Sequence, residues 1–188
     1  KSIVGETGAE IVAALIVTYG VETKLIFASR ETGVHEFVLR DGEYYHLGEI
    51  KLNQRGSKEK GIRLALGGSP SEWPKGFPEL VDKWTQENDV VNGYSGALVT
   101  DVYAAIKHIQ DGGEAVFAYL ANKLRVRTEL QPIAFILECA GGASLTYPYK
   151  DKGLPAESTG SLLAVRMVEE PDTKKQQKGP SAFGNRGI

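Results

Sequence analysis

An α/β fold is predicted here by strand-like runs that alternate with amphipathic helical ones, by glycines and prolines that punctuate them, and by ample apolar content. The 188 residues (20.4 kDa) suit one domain spanning 1–188, and 41% hydrophobic with 24% charged residues is the usual globular mix. A net charge of -2 and a pI near 6.0 give no broad attraction to phosphate polymers, and no basic stripe is interleaved with aromatics, which excludes nucleic acid as a partner. The longest strongly apolar run, Ile11 to Val17, is far shorter than the roughly 18 to 20 residues that span a bilayer, so no transmembrane segment is expected.

Cys139 is the lone cysteine, so an internal disulfide, a zinc cluster and a CxxC pair are all ruled out, and a reducing compartment fits. A first residue of Lys1 rather than Met implies an expression fragment, a proteolytic product or a mature chain relieved of a targeting segment.

Taken in order, "GAEIVAALIVTYG" (8–20) has helical length and a closing Gly20, and is predicted as a helix although its β-branched residues suit a strand. "TKLIFAS" (23–29) and "GVHEFVLRDGEYYHL" (33–47) predict a strand and then a hairpin turning at Asp41-Gly42. "NQRGSKEKG" (53–61) reads as a polar loop, "IRLALGG" (62–68) as a strand, and "PELVDKWTQE" (78–87) as a helix begun by proline. Within 94–113, Leu98, Val102, Ile106 and Ile109 recur at helical spacing and Gly112-Gly113 stops the helix; "EAVFAYLA" follows as a strand.

In "KLRVRTELQPIAFILECAGG" (123–142), strand alternation would put Lys123, Arg125 and Arg127 on one face and Leu124 and Val126 on the other. Pro132 then opens a helix that Gly141-Gly142 ends, which leaves Glu129 at a strand-to-helix junction. Such junctions hold ligands in open α/β sheets, so cations beside a carboxylate could mean phosphate plus metal. The alternative is a solvated basic strand edge whose acid caps the helix. A further strand is expected in "SLLAVRMV", and 170–188 reads as a loop or tail.

These segments together resemble the carboxyl-terminal half of the class 1 fructose-1,6-bisphosphatase and sedoheptulose-1,7-bisphosphatase family. The resemblance runs from about Gly8 to Gly142 through "VTYGVETKLIFA", "TGVHEFVLRDGEYYHL", "YSGALVTDVY" and "KLRVRTELQPIAFILECAGGAS", with weaker likeness in "QQKGPSAFG". It implies a layered α/β/α architecture with a central mixed sheet. It also implies that Glu129 binds a catalytic divalent metal, that Lys123 and Arg125 lie near the sugar phosphate, and that the hydroxyls of Tyr94 and Tyr119 touch the distal phosphate. The hairpin is nearer the sedoheptulose branch.

The chain departs from the family pattern in several places. Gly93 stands where many members supply an arginine, Leu66 where an asparagine faces substrate, and the connection from Tyr119 to Lys123 is short. The family's acidic metal cluster, an Asp-Pro-x-Asp-Gly-Ser type motif in its amino-terminal half, has no counterpart; Glu170-Pro171-Asp172 lacks the second aspartate and the glycine. Mg2+ is therefore expected only with a complementary acidic half, because Glu129 alone does not hold the metals that phosphoryl transfer to water uses.

Three functions follow from the resemblance: a non-catalytic binding or structural subunit of a larger assembly, a fragment of an active sugar bisphosphatase, and a regulatory sugar-phosphate binder. Each of the first two expects a protein partner or an amino-terminal half. The sedoheptulose-like branch implies a chloroplast stroma location, with the cytoplasm as the alternative. His35, His46 and His108 show no ligand spacing, and Ser95 in "GYSGA" lacks the pattern of a nucleophile elbow. "PSEWPKGFPEL" (70–80) is either a partner-facing surface or a rigid loop packed on its own domain.

Overall fold

The computed structural model describes residues 11–52, 60–73, 75–120, 124–146 and 161–165. Strands β1 (Ala13–Thr18), β2 (Thr23–Ser29), β3 (Gly33–Arg40) and β4 (Glu43–Glu49) form an antiparallel sheet in sequence order. Its alternation is clean on β3, where Val34, Glu36 and Val38 are buried and the residues between them are not. The β3–β4 hairpin turns where expected. Asp41 (φ 51°) and Gly42 (φ 83°) both take the left-handed conformation that two-residue turns matching strand twist require.

β1 corrects the helix expected over 8–20. Ala14 and Ile16 are buried at every second position, and Ile16 pairs with Ile26 across the sheet. The period is therefore two, and β-branched packing on a paired strand outweighs the run's helical length. Residues 8–10 of that expectation lie outside the described residues.

The remaining elements are β5 (Ile62–Gly67), α1 (Phe77–Glu87), β6 (Val90–Asn92), α2 (Leu98–Gln110), β7 (Glu114–Tyr119), α3 (Gln131–Cys139), β8 (Leu145–Thr146) and β9 (Ser161–Val165). The second sheet has the order β6-β5-β7-β9-β8, with β5 parallel to β6 and β7, and β9 antiparallel to β7 and β8. It is the expected mixed sheet.

Core composition gives the layers. Phe77 and Trp84 of α1 pack on Ile62, Leu64, Val116 and Ala118, which form one face of the mixed sheet. Ala65, Ala115 and Phe117 on the opposite face join Val102, Ala105 and Ile106 of α2 and Phe135 and Ile136 of α3. The same cluster takes in Ile16, Ile26 and Val34. Hence α2 and α3 lie between the two sheets, α1 covers the far side, and the α/β/α layering gains an antiparallel sheet.

A second correction concerns the basic stretch. Arg125 leads into a π-helical turn, Val126–Leu130, that runs straight into α3, with the N–H groups of Glu129 and Leu130 both donating to Arg125 O at 3.1 Å. A strand would hold Leu124 and Leu130 roughly 20 Å apart. The wide turn lets both reach one core, so burial decides the conformation. The shared cationic face is therefore not formed as a strand face. Lys123 lies outside the described residues.

Candidate functional site

Neighbouring strands β5 and β6 send the chain to opposite faces of the mixed sheet, β5 towards α1 and β6 towards α2. Their carboxyl ends part at a topological switch point, where open α/β sheets leave a crevice. Gly67 ends β5 inside it. A Cβ there would lie 2.3 Å from Tyr119 Cδ2 and 2.7 Å from Tyr94 Cε2, so two of the expected site residues converge over one glycine. Burial, the neighbouring Tyr119 and Asp101 push the Tyr94 phenol above its usual range. It stays a hydrogen-bond donor at neutral pH, as an anion needs.

The turn carrying Tyr94 is held from α2. Asp101, only 1% exposed, accepts from the Ser95 hydroxyl at 2.6 Å, from Ser95 N at 3.0 Å and from Gly96 N at 3.2 Å. An acid in the first turn of a helix, shortly after Ser-Gly, is a legible signal for such a reverse cap. Sequence reasoning had passed over it. The Ser95 hydroxyl is thus committed to Asp101 as donor, with no histidine beside it among its described partners.

Gly93 and Leu66, the two departures, have distinct surroundings. A Cβ on Gly93 would meet Arg63 Nε at 2.5 Å, and Arg63 Nη2 donates to Gly93 O at 3.1 Å. The Arg63 guanidinium therefore fills the room that a side chain at 93 would take. Its Nε is buried without a hydrogen-bond partner. Leu66 packs with Trp73 and the α1 cluster, and offers the crevice no donor.

Glu129 lines a separate cleft of about 360 Å³, with Leu15 and Ile16 of β1, Ala97 to Thr100 at the start of α2, and Thr128, Pro132 and Ile133. Its carboxylate accepts the Arg125 N–H. The Asp101-held turn joins the tyrosine crevice to this cleft, since Ala97 follows Gly96 directly. Arg125 itself is exposed. Among the described residues no group of three or more His, Cys, Asp or Glu side chains is placed to hold a metal ion. Magnesium asks for near-octahedral oxygen coordination, so the described residues do not by themselves fit it.

The aromatic loop turns inward. Trp73 Nε1 donates to Gly67 O at 3.3 Å, and its ring meets Phe77 edge-on at 5.2 Å, while Phe77 meets Trp84 in the same way at 6.3 Å. Pro74 lies outside the described residues. His108 lies against the Gly61 carbonyl at 3.3 Å, whereas His35 and His46 are brought together across the hairpin.

The family profile for "Fructose-1-6-bisphosphatase, C-terminal domain" matches residues 58–150. Class 1 fructose-1,6-bisphosphatases of Geobacter metallireducens and Halobacterium salinarum are 31% and 32% identical to this chain over 147 and 183 residues. Those matches take in 74% and 94% of the chain but 43% and 54% of the relatives, so the chain spans about half the length of the curated relatives it matches. The holo-form crystal structure of Leishmania major fructose-1,6-bisphosphatase aligns with a TM-score of 0.68 at 24% identity, over 85% of this chain and 51% of that one. The fold is therefore the same. By sequence and by fold together, the chain belongs to the fructose-1,6-bisphosphatase family and carries that family's carboxyl-terminal half.

Proposed function

We propose that this chain is the sugar-phosphate-holding half of a sugar bisphosphatase, non-catalytic by itself, working with a protein partner or amino-terminal half that brings the missing acids. The convergence of Tyr94 and Tyr119 over Gly67 carries the reading, because two phenol donors at a strand-end crevice suit a phosphate dianion. Lys123 and Arg125 are the cations of this reading. Glu129 would be one carboxylate of a magnesium site completed from outside the described residues.

A second reading, a structural subunit retained for its fold, is favoured by Leu66, whose turn towards α1 leaves the crevice one donor poorer. The choice between fructose and sedoheptulose gains nothing from the hairpin, which belongs to the other sheet. The proposed chloroplast location rests on the resemblance of that segment to the sedoheptulose branch, not on its place in the fold, and the two curated relatives named above are bacterial and archaeal.

Isothermal titration with fructose 1,6-bisphosphate tests the reading. Saturable heat that is lost in the Tyr94→Phe, Tyr119→Phe double variant is expected, with no phosphate release in magnesium. Absence of heat at millimolar sugar bisphosphate would overturn ligand binding in favour of the structural subunit. Magnesium-dependent turnover by this chain would instead overturn its non-catalytic status.

A further inference from the structure

His35 on β3 and His46 on β4 are 11 residues apart, yet His35 Nδ1 and His46 Nε2 approach to 3.0 Å with ring centroids 5.0 Å apart. A β-bulge surrounds the pair: Phe37 pairs with His46, but Glu36 pairs with Gly48, so Leu47 is an extra residue on β4. The bulge sets Glu49, rather than Gly48, opposite His35 and on the same face. The His46 ring also rests against Phe37 at 5.1 Å.

Hydrogen bonding fixes the tautomers. His35 Nε2 lies 2.8 Å from the Thr32 carbonyl, which only accepts, so Nε2 carries the hydrogen and Nδ1 presents a lone pair. The hydrogen between the rings then belongs to His46 Nε2. Thr32 is itself anchored, its N–H donating to Ser29 Oγ at 3.0 Å. An imidazole whose second N–H is tied to a backbone carbonyl is the usual form of a metal-binding histidine.

We propose that His35 Nδ1 and His46 Nε2 form a binding site for a divalent transition metal of the copper(II) and nickel(II) class. With metal–nitrogen bonds of roughly 2.0 to 2.1 Å, the 3.0 Å separation sets a nitrogen–metal–nitrogen angle of about 94°. That angle suits square-planar or octahedral metals, and nitrogen sites follow the order nickel below copper above zinc. The metal replaces the hydrogen bond, lying to one side of the nitrogen–nitrogen line, and both rings turn to aim their lone pairs at it. The His46 proton moves from Nε2 to Nδ1 through solvent, so two neutral imidazoles bind and no net proton is released.

Glu49 is exposed and ion-paired with Lys51 at 2.7 Å, so the two imidazoles are the protein's ligands and water completes the coordination. The site belongs to the antiparallel sheet and stands independently of the proposed sugar-phosphate crevice. It joins β3 to β4, the edge strand, whose residues are almost all exposed.

Isothermal titration of the chelator-treated chain with copper(II), nickel(II) and zinc(II) chlorides tests the proposal. One saturable site that prefers copper and nickel to zinc is expected, weakened at least about tenfold by His35→Ala or His46→Ala, since losing a ligand costs no less than losing its supporting partner, and unchanged by His108→Ala. Failure to bind copper or nickel, zinc as the tightest ligand, or binding retained by the His35→Ala, His46→Ala double variant would overturn it. Amide spectra of the unmutated chain give an independent check. Paramagnetic nickel should broaden signals around Thr32–Phe37 and Tyr45–Glu49, and broadening confined to other segments would refute the assignment.

Discussion

The Asp101 carboxylate takes both the hydroxyl and the backbone N–H of Ser95, and through that contact α2 holds the turn bearing Tyr94. Hydrogen bonds to a buried charge are worth about 1.5 to 3 kcal/mol each. Asp101→Ala also strands the N–H groups of Ser95 and Gly96. We expect urea unfolding to show a loss of about 2 to 4 kcal/mol, with faster amide exchange at Ser95 and Gly96 as the local signature. Unchanged exchange there would contradict the holding role.

Gly67→Ala should separate binding from folding. The added methyl would meet two tyrosine rings at 2.3 and 2.7 Å, and Tyr94, 40% exposed, is free to swing outward. The chain should fold with a modest stability loss but bind sugar bisphosphate at least about tenfold more weakly, equivalent to about 1.4 kcal/mol. Wild-type affinity in this variant would show that the tyrosine pair does not form the binding surface.

Glu36, 5% exposed, takes the Tyr103 hydroxyl at 2.6 Å and the Lys107 ammonium at 3.0 Å, which ties the antiparallel sheet to α2. Burial and the Glu36 bond push the Tyr103 phenol well above its usual range, so it remains a donor throughout the physiological range. Tyr103→Phe is expected to cost about 1.5 to 3 kcal/mol in chemical denaturation. Lys107→Ala should cost less, since that side chain is 39% exposed and partly solvated already.

Acid should loosen the β1–β2 turn through Glu22. Its hydrogen bonds to Lys24 and Arg40, at 2.8 and 2.7 Å, lower its carboxyl from 4.5 to about 2. A carboxyl depressed by folding stabilises the fold above its unfolded value and loses that contribution as pH falls through the folded one. The window is thus from about 4.5 down to about 2. The pair is exposed, so the effect is small. Glu22→Gln should flatten this part of the stability–pH curve, and the Glu22 carboxyl titration followed by NMR would report it directly.

Where two periodicities differed clearly, the sequence was readable. Leu98, Val102, Ile106 and Ile109 mark α2, and Asp41-Gly42 marks the hairpin, because local chemistry alone suffices there. β1 was misread because an apolar run of seven fits either period until Ile26 is known to lie opposite Ile16. The three-residue β6 and two-residue β8 are defined by pairing with distant strands and leave almost no local trace. For the site, the family resemblance pointed to Tyr94 and Tyr119, but nothing local revealed that Arg63 would fill the room above Gly93. Likewise, no sequence spacing announces His35 and His46, since a bulge sets their approach.

The parting of β5 and β6 has one more consequence. A crevice made by connectivity survives the loss of any side chain around it, so the departures at Gly93 and Leu66 alter the furniture of the site without closing the room. Such a chain is free to exchange its ligand during evolution while its core stays fixed. Mutational tolerance should accordingly be higher at exposed Asn92, the last residue of β6, than at buried Ile62 and Leu64 of β5.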